Sequence, residues 1–275
     1  MQAAFFDLDK TVIAKPSVAA FGPTLYSQGM ISRRILLRAL VGQLIFLHLG
    51  AGHDRLEGFR KSLLAVTRGW ERDKVQKIVS EALTEVVEPI IFSEALALIE
   101  QHQNEGRRVV IISSSPEEVV QPLADFIGAD DAIGSRACVG TDGRYTGEIE
   151  FYAYGENKAV AIKEMAERDG LDLSESYAYS DSHTDLPMLS CVGHPTAVNP
   201  DRDLLRAARA RKWPISTFSN PMPMRDQSLR IRMRIATALL VIGGIGGMGL
   251  AAGFWRLSQR EKQFHSRFAK ALSHR

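Results

Sequence analysis

The sequence predicts an α/β fold: a core with a parallel sheet, a block of helices inserted after the first strand, and an apolar span near the carboxyl end. Three observations predict it. A short apolar run at 3–6 ends in the paired carboxylates Asp7 and Asp9. From Pro89 to about Trp213 strand and helix patterns alternate, which calls for crossover helices between parallel strands. Residues 235–255 carry no charge and reach the roughly 20 residues needed to cross a bilayer.

The composition sets the bounds. With 275 residues, 45% hydrophobic and 24% charged, the chain can build one sizeable core and an accessory domain. A net charge of +2 gives no reason to invoke nucleic acid. Cys138 and Cys191 fit a reducing compartment and read as small buried apolar groups.

The elements follow in order. Residues 3–6 read as a buried strand, and two carboxylates two residues apart leave its end on the same side. Between residues 14 and 88 the pattern is helical, with helices expected over 32–49 (capped by Ser32), 55–69 and 73–87, and no strand between them. Such an insertion reads as a cap on the sheet. The stretch 35–49 is apolar nearly all round but short and interrupted by Arg38, so it reads as a buried cap helix or as a surface that touches lipid. A helix over 92–103 ends near Gly106, and Val109 to Ile112 form an apolar strand. Ser115, Pro116 and Glu118 then read as a capping box that leaves Ser113 and Ser114 in an anion-favouring turn. Asp142-Gly143 predicts a small hairpin. A helix from Gly155 to Gly170 carries Lys158 in its first turn, where the dipole disfavours a cation, so the lysine has a task elsewhere. The strand 177–179 leads to Asp181 and Asp185; 195–198 is a further strand and 202–211 a last helix.

In a parallel sheet, ligands bind beyond the carboxyl ends of the strands. Asp7, Asp9 and Thr11, Ser113, Ser114, Lys158, Asp181 and Asp185 all fall at that edge. Clustered carboxylates repel unless a cation offsets them, and hard oxygens suit Mg²⁺. Carboxylates with Mg²⁺, a hydroxyl, a helix start and a lysine are what phosphoryl transfer requires.

With those residues in place, the chain resembles the haloacid dehalogenase superfamily phosphatases, subfamily IB, the branch that includes phosphoserine phosphatase. DxDxT at Asp7 to Thr11, the strand-ending Ser113, Lys158 and the Asp181/Asp185 pair match its four motifs in order. The resemblance implies a Rossmann-like core at 1–13 and 89–213, with a type 1 helical cap at 14–88. It implies Asp7 as the nucleophile that forms an aspartyl-phosphate, and Asp9 as the acid that protonates the leaving alcohol and then activates water. Thr11 would hold Asp9. Ser113, Ser114 and Lys158 would bind the phosphoryl oxygens. Asp7, the Asp9 carbonyl and Asp181 would bind Mg²⁺, with Asp185 in support.

Two departures bear on substrate. Phosphoserine phosphatases carry an acidic residue soon after DxDxT, facing the substrate's amino group, whereas residues 12–17 here hold no carboxylate and include Lys15, which would repel it. The usual serine-glycine-glycine is Ser113-Ser114-Ser115.

The carboxyl end reads as a linker over 214–234, a transmembrane helix over 235–255 and a basic tail over 256–275. The start of the chain has no secretory pattern, so the expectation is a single-pass protein with its catalytic domain on the cytoplasmic side. Basic residues flank the span on both sides, so a glycine-rich re-entrant hairpin is the alternative. Gly243 with Gly247 and Gly249 with Gly253 stand at the spacing that packs helix against helix, which offers a route to self-association. These readings converge on a membrane-anchored phosphatase of a phospholipid-type monoester. A soluble small phosphate such as phosphoserine, or a tethered binding protein without catalysis, are the rivals.

Overall fold

The structure, a computed structural model, describes residues 1–32 and 66–221. Its centre is a seven-stranded sheet in the order β4-β3-β2-β1-β5-β6-β7. The strands are β1 (Ala3–Phe6), β2 (Arg108–Pro116), β3 (Asp131–Val139), β4 (Tyr145–Phe151), β5 (Tyr177–Ser180), β6 (His194–Val198) and β7 (Ile215–Ser216). Every neighbouring pair is parallel except β3 with β4. The helices are α1 (Ser17–Ser27), α2 (Arg72–Val87), α3 (Ser93–Asn104), α4 (Glu117–Ile127), α5 (Glu156–Asp169), α6 (Leu186–Ser190) and α7 (Arg202–Arg211).

β1 lies between β2 and β5, in register Phe6↔Ile111 and Phe6↔Tyr179. Both of its faces are covered, which is why all four residues are apolar with no alternation. Ala4 and Phe6 join Val109, Ile111, Ile99 and Leu123 in a core on one side. Ala3 and Phe5 join Val110, Ile112, Ile162 and Leu204 on the other. Truncating a phenylalanine of this kind costs about 3–5 kcal/mol through lost transfer energy and the cavity left behind.

Several boundaries differ from the expectation. β2 continues four residues beyond Ile112 because its pairing with β3 extends to Pro116↔Ser135. The helix therefore starts at Glu117 with no side-chain cap, and Ser115 is a strand residue rather than part of a capping box. The hairpin around Gly143 (φ 75°) exists as expected, closed by Gly140 N–H donating to the Arg144 carbonyl at 2.8 Å, but its strands are far longer. Its tip pairs with the chain entering α2: Gly69 N–H donates to the Tyr145 carbonyl and Tyr145 N–H to that of Trp70.

Within 14–88 the described residues contain helices α1 and α2 and no strand longer than an isolated bridge. The expected helix over 32–49, most of that over 55–69, the span 235–255 and the basic tail lie outside the described residues. Among the described residues no helix is long and apolar enough to cross a membrane.

Residues 214–221, assigned to a linker by their prolines, are tied to the core. β7 pairs with β6, and Glu94 at the start of α3 accepts from the amides of Ser219 and Asn220 and from the Asn220 side chain. These bonds hold the Glu94 carboxyl below its ordinary value, although partial burial acts in the opposite sense.

His102 on α3 is buried against Phe6, Tyr177 and Tyr179. Arg107 donates to its Nδ1 at 3.2 Å, so the neutral ring places its proton on Nε2, 2.8 Å from the Tyr179 hydroxyl. Burial, then the Arg107 charge, lower its pKa to about 4. The unfolded chain therefore binds the proton first. The contribution of the neutral ring is complete above pH 6.5 and is lost as pH falls toward 4, by on the order of 2–3 kcal/mol. Urea unfolding at pH 7 and pH 4 should show the wild type losing this much relative to His102→Gln. Parallel losses in the two proteins would mean that the ring titrates normally.

Candidate active site

The site forms where β1, β2 and β5 end. Asp7 continues β1, its N–H donating to the Tyr179 carbonyl at 2.9 Å. The chain then turns sharply. Val12 and Ile13 both donate to the Leu8 carbonyl, and Lys10 takes a left-handed conformation (φ 60°). This turn folds Asp9 and Thr11 back over the strand ends.

Lys158 enters from α5. Gly155 precedes this helix, and the positive φ of 57° there suits a residue without a side chain. The lysine is 2% exposed, and its Nζ lies 2.7 Å from Asp7 Oδ1 and 2.8 Å from Asp185 Oδ2. Ser180 Oγ, which the sequence reading did not single out, donates to the same Asp185 oxygen at 2.6 Å. Asp181 stands beside them, with Lys10 Nζ at 3.8 Å on the exposed rim.

The charge balance is the main property of this cluster. Asp7, Asp181 and Asp185 are buried with one internal ammonium. Burial, followed by the opposing pull of Lys158 and the repulsion of Asp185, Asp181 and Asp9, leaves the Asp7 carboxyl well above its ordinary pKa. Burial also raises Asp181, to about 7, against the pull of Lys10. Burial alone would discharge Lys158, but Asp185 and Asp7 outweigh it and keep the ammonium protonated beyond its ordinary range.

The remaining expected residues take their places around this centre. Ser113 is a buried residue within β2, and Ser114 follows it in the same strand, so neither lies in the strand-to-helix turn expected of them; Ser113 Oγ accepts from Ser115 N–H at 3.1 Å. Ser114 is half-buried, its carbonyl accepting from Ser135 Oγ. Thr11 departs from its expected role: its hydroxyl lies 3.5 Å from Asp7 Oδ2 rather than on Asp9. Asp9 is held instead by Ser17 and Ser115. The sequence signal for Ser115 was spent on the capping box; Ser17 had none, since only the fold brings α1 to this edge. Two surface cavities, of about 590 Å³ near Tyr177 and Trp213 and about 930 Å³ between α1 and α2, hold none of the expected site residues, so the site is identified by its chemistry.

Residues 4–190 match the haloacid dehalogenase-like hydrolases. The chain belongs to that family. It is 48% identical, over 94% of both chains, to the inhibition of morphological differentiation protein of Streptomyces azureus. It is 47% identical to a probable phosphatase of Mycobacterium tuberculosis, over 91% of this chain and 86% of that one. A solved phosphoserine phosphatase with a phospho-aspartyl intermediate analogue shares its fold at a TM-score of 0.53 and 19% identity, over 85% of this chain and 98% of the other. The protein is therefore a phosphatase of the haloacid dehalogenase family, and its cofactor is Mg²⁺.

The residues present fit that ion. A buried cluster with more carboxylates than ammonium groups needs a further positive charge. Among the described residues no three acidic, histidine or cysteine side chains converge as a ready-made cage. Mg²⁺ does not require one, since it takes one or two carboxylates and completes its shell with water and substrate oxygens.

The linkage sign for Asp181 is set by its raised pKa. The contribution is fully present below the ordinary carboxyl pKa of 3.8 and is lost progressively as pH rises from there through about 7. In EDTA at pH 8, Asp181→Asn should be more stable than the wild type by on the order of 1–3 kcal/mol. The difference should vanish near pH 4, and Mg²⁺ should raise the melting temperature of the wild type much more than that of the variant. Calorimetry with and without the metal checks both; a less stable variant at pH 8 would refute the excess-charge argument.

Proposed function

We propose that the protein hydrolyses a phosphomonoester through an aspartyl-phosphate on Asp7. The observation that carries this is the buried Lys158 ammonium held between Asp7 and Asp185. It holds Asp7 Oδ1, so that Oδ2, with the Thr11 hydroxyl beside it at 3.5 Å, attacks phosphorus, while its charge offsets that of the incoming phosphoryl group. As the Oδ2–P bond forms, the P–O bond to the leaving group breaks and Asp9 delivers a proton to the departing oxygen. Water then attacks the aspartyl-phosphate and gives its proton to Asp9, which releases phosphate and restores Asp7. Ser113 and Ser114, near the end of β2, would bind phosphoryl oxygens. Asp7, the Asp9 carbonyl and Asp181 would hold Mg²⁺, with Asp185 in support, and the ion supplies further neutralisation of the phosphoryl charge.

We further propose that residues 1–13 and 89–213 form the catalytic core and 14–88 a helical cap. In this arrangement 214–234 links the core to a transmembrane anchor at 235–255, followed by the basic tail 256–275. The catalytic domain would lie on the cytoplasmic side. The uncharged stretch 235–255, the apolar stretch 35–49 and Lys15 in place of an ammonium-binding acid support a phospholipid-type substrate, such as phosphatidylglycerol phosphate or lysophosphatidate. The likeness in fold to a phosphoserine phosphatase favours the second reading, a soluble phosphate with the anchor serving only as an address.

Phosphate release by the full-length protein in detergent with Mg²⁺ separates the two. The panel holds phosphatidylglycerol phosphate, lysophosphatidate, phosphoserine and several sugar phosphates, with Asp7→Asn as blank. A lipid favoured about a hundredfold in kcat/KM, about 2.7 kcal/mol, is expected. A soluble favourite or a flat profile would overturn the lipid reading, and turnover by Asp7→Asn would overturn the nucleophile.

A further inference from the structure

Asp9 is held from a direction its own motif does not supply. The Ser17 amide donates to Asp9 Oδ1 at 2.8 Å, and the Ser115 hydroxyl reaches Asp9 Oδ2 at 3.4 Å. The two serine hydroxyls lie 2.6 Å apart, and both residues are buried. They come from separate elements: Ser17 is the first residue of α1, and Ser115 stands near the end of β2.

We infer that Ser17 and Ser115 form a clamp that positions Asp9 for proton transfer and makes its geometry depend on where α1 sits. The inference rests on the reading of Asp9 as the proton donor. A backbone N–H can only donate, so Oδ1 is committed as an acceptor and a carboxyl proton resides on Oδ2. The hydroxyls are rotors that donate in either direction. While Asp9 carries its proton, Ser115 turns its hydrogen to Ser17 Oγ and leaves Oδ2 free to donate to the ester oxygen. When the P–O bond breaks, the proton moves from Oδ2 to the leaving oxygen. Ser115 then turns back and donates to Oδ2, stabilising the carboxylate that next receives a proton from water. The short contact between the two hydroxyls gives the Ser115 hydrogen a partner in either state. Because Ser17 opens α1, the clamp is complete only with that helix seated over the strand ends. Both serines act through Asp9 and neither touches the substrate in this scheme, so both are positioning residues.

The test varies the leaving group. p-Nitrophenolate departs as a stable anion and needs no proton, whereas an alkoxide does. In the full-length protein with Mg²⁺, kcat/KM is measured on p-nitrophenyl phosphate and on the faster of phosphoserine and lysophosphatidate. Ser115→Ala and Ser17→Ala should each lower the alkyl-to-aryl ratio by about tenfold or more, and Ser115→Thr should restore most of it. The double variant should cost little more than the worse single one, because the hydroxyls act in series. Thermal melting checks folding, with Ser115→Gly as the second removal of the hydroxyl. A ratio within about threefold of the wild type in these variants overturns the clamp if Asp9→Asn does lower it. If Asp9→Asn leaves the ratio unchanged, the reading of Asp9 fails and the clamp falls with it.

Discussion

One buried ammonium organises this protein's chemistry. Lys158 sits between Asp7 and Asp185 with almost no access to solvent. A carboxylate or an ammonium buried alone would cost several kcal/mol, and either would shed its charge first. Here Asp185 and Asp7 keep the Lys158 ammonium protonated, and the surplus of carboxyl groups over ammonium turns the strand ends into a cation site. The sheet exists, in this sense, to bring three separate strand ends and one helix start to the same point. β1 supplies Asp7, β5 leads to Asp185 through Ser180, and α5 delivers Lys158.

The cost of gathering those charges is met by the surroundings. Apolar side chains cover both faces of β1, so the strand that leads to Asp7 has no freedom to shift its register. Phe6 stacks on Tyr179 at 4.5 Å between ring centroids, locking β1 to β5 one residue before each carries its carboxylate or serine outward. Backbone bonds at the turn, from Val12 and Ile13 to Leu8 and from Phe92 to Val12, fasten the loop to the start of α3. The site is thus rigid where charge is concentrated.

Its other flank is built from polar contacts to α1. Asp9 takes one bond from a serine near the end of β2 and one from the first residue of α1, and the second depends on the placement of an element that contributes nothing to the sheet. The Lys158–Asp7–Asp185 cluster and the proposed proton donor Asp9 are therefore held by different contacts of the fold. That separation suits a reaction in two displacements, where the phosphoryl site stays constant while the acid–base group changes state.

The sequence by itself determined the α/β class, the strand of Asp7, the helices α2 and α7, and the membership of Asp7, Ser113, Lys158, Asp181 and Asp185 in one strand-edge cluster. These were legible because they rest on local pattern: apolar runs, helix stops at glycine, and carboxylates where a strand must end. Only the tertiary structure decided that β2 runs to Pro116, that Ser180 backs Asp185, that Thr11 faces Asp7, and that Ser17 and Ser115 hold Asp9. The run of β2 to Pro116 and the Ser115 contacts depend on partners distant in sequence, whereas the Ser180–Asp185 and Thr11–Asp7 contacts are local but depend on how the chain turns at the strand ends. A serine at a strand end carries the same local signal whether it caps a helix or clamps a carboxylate. What distinguishes the two is which neighbour the completed fold places within hydrogen-bonding distance.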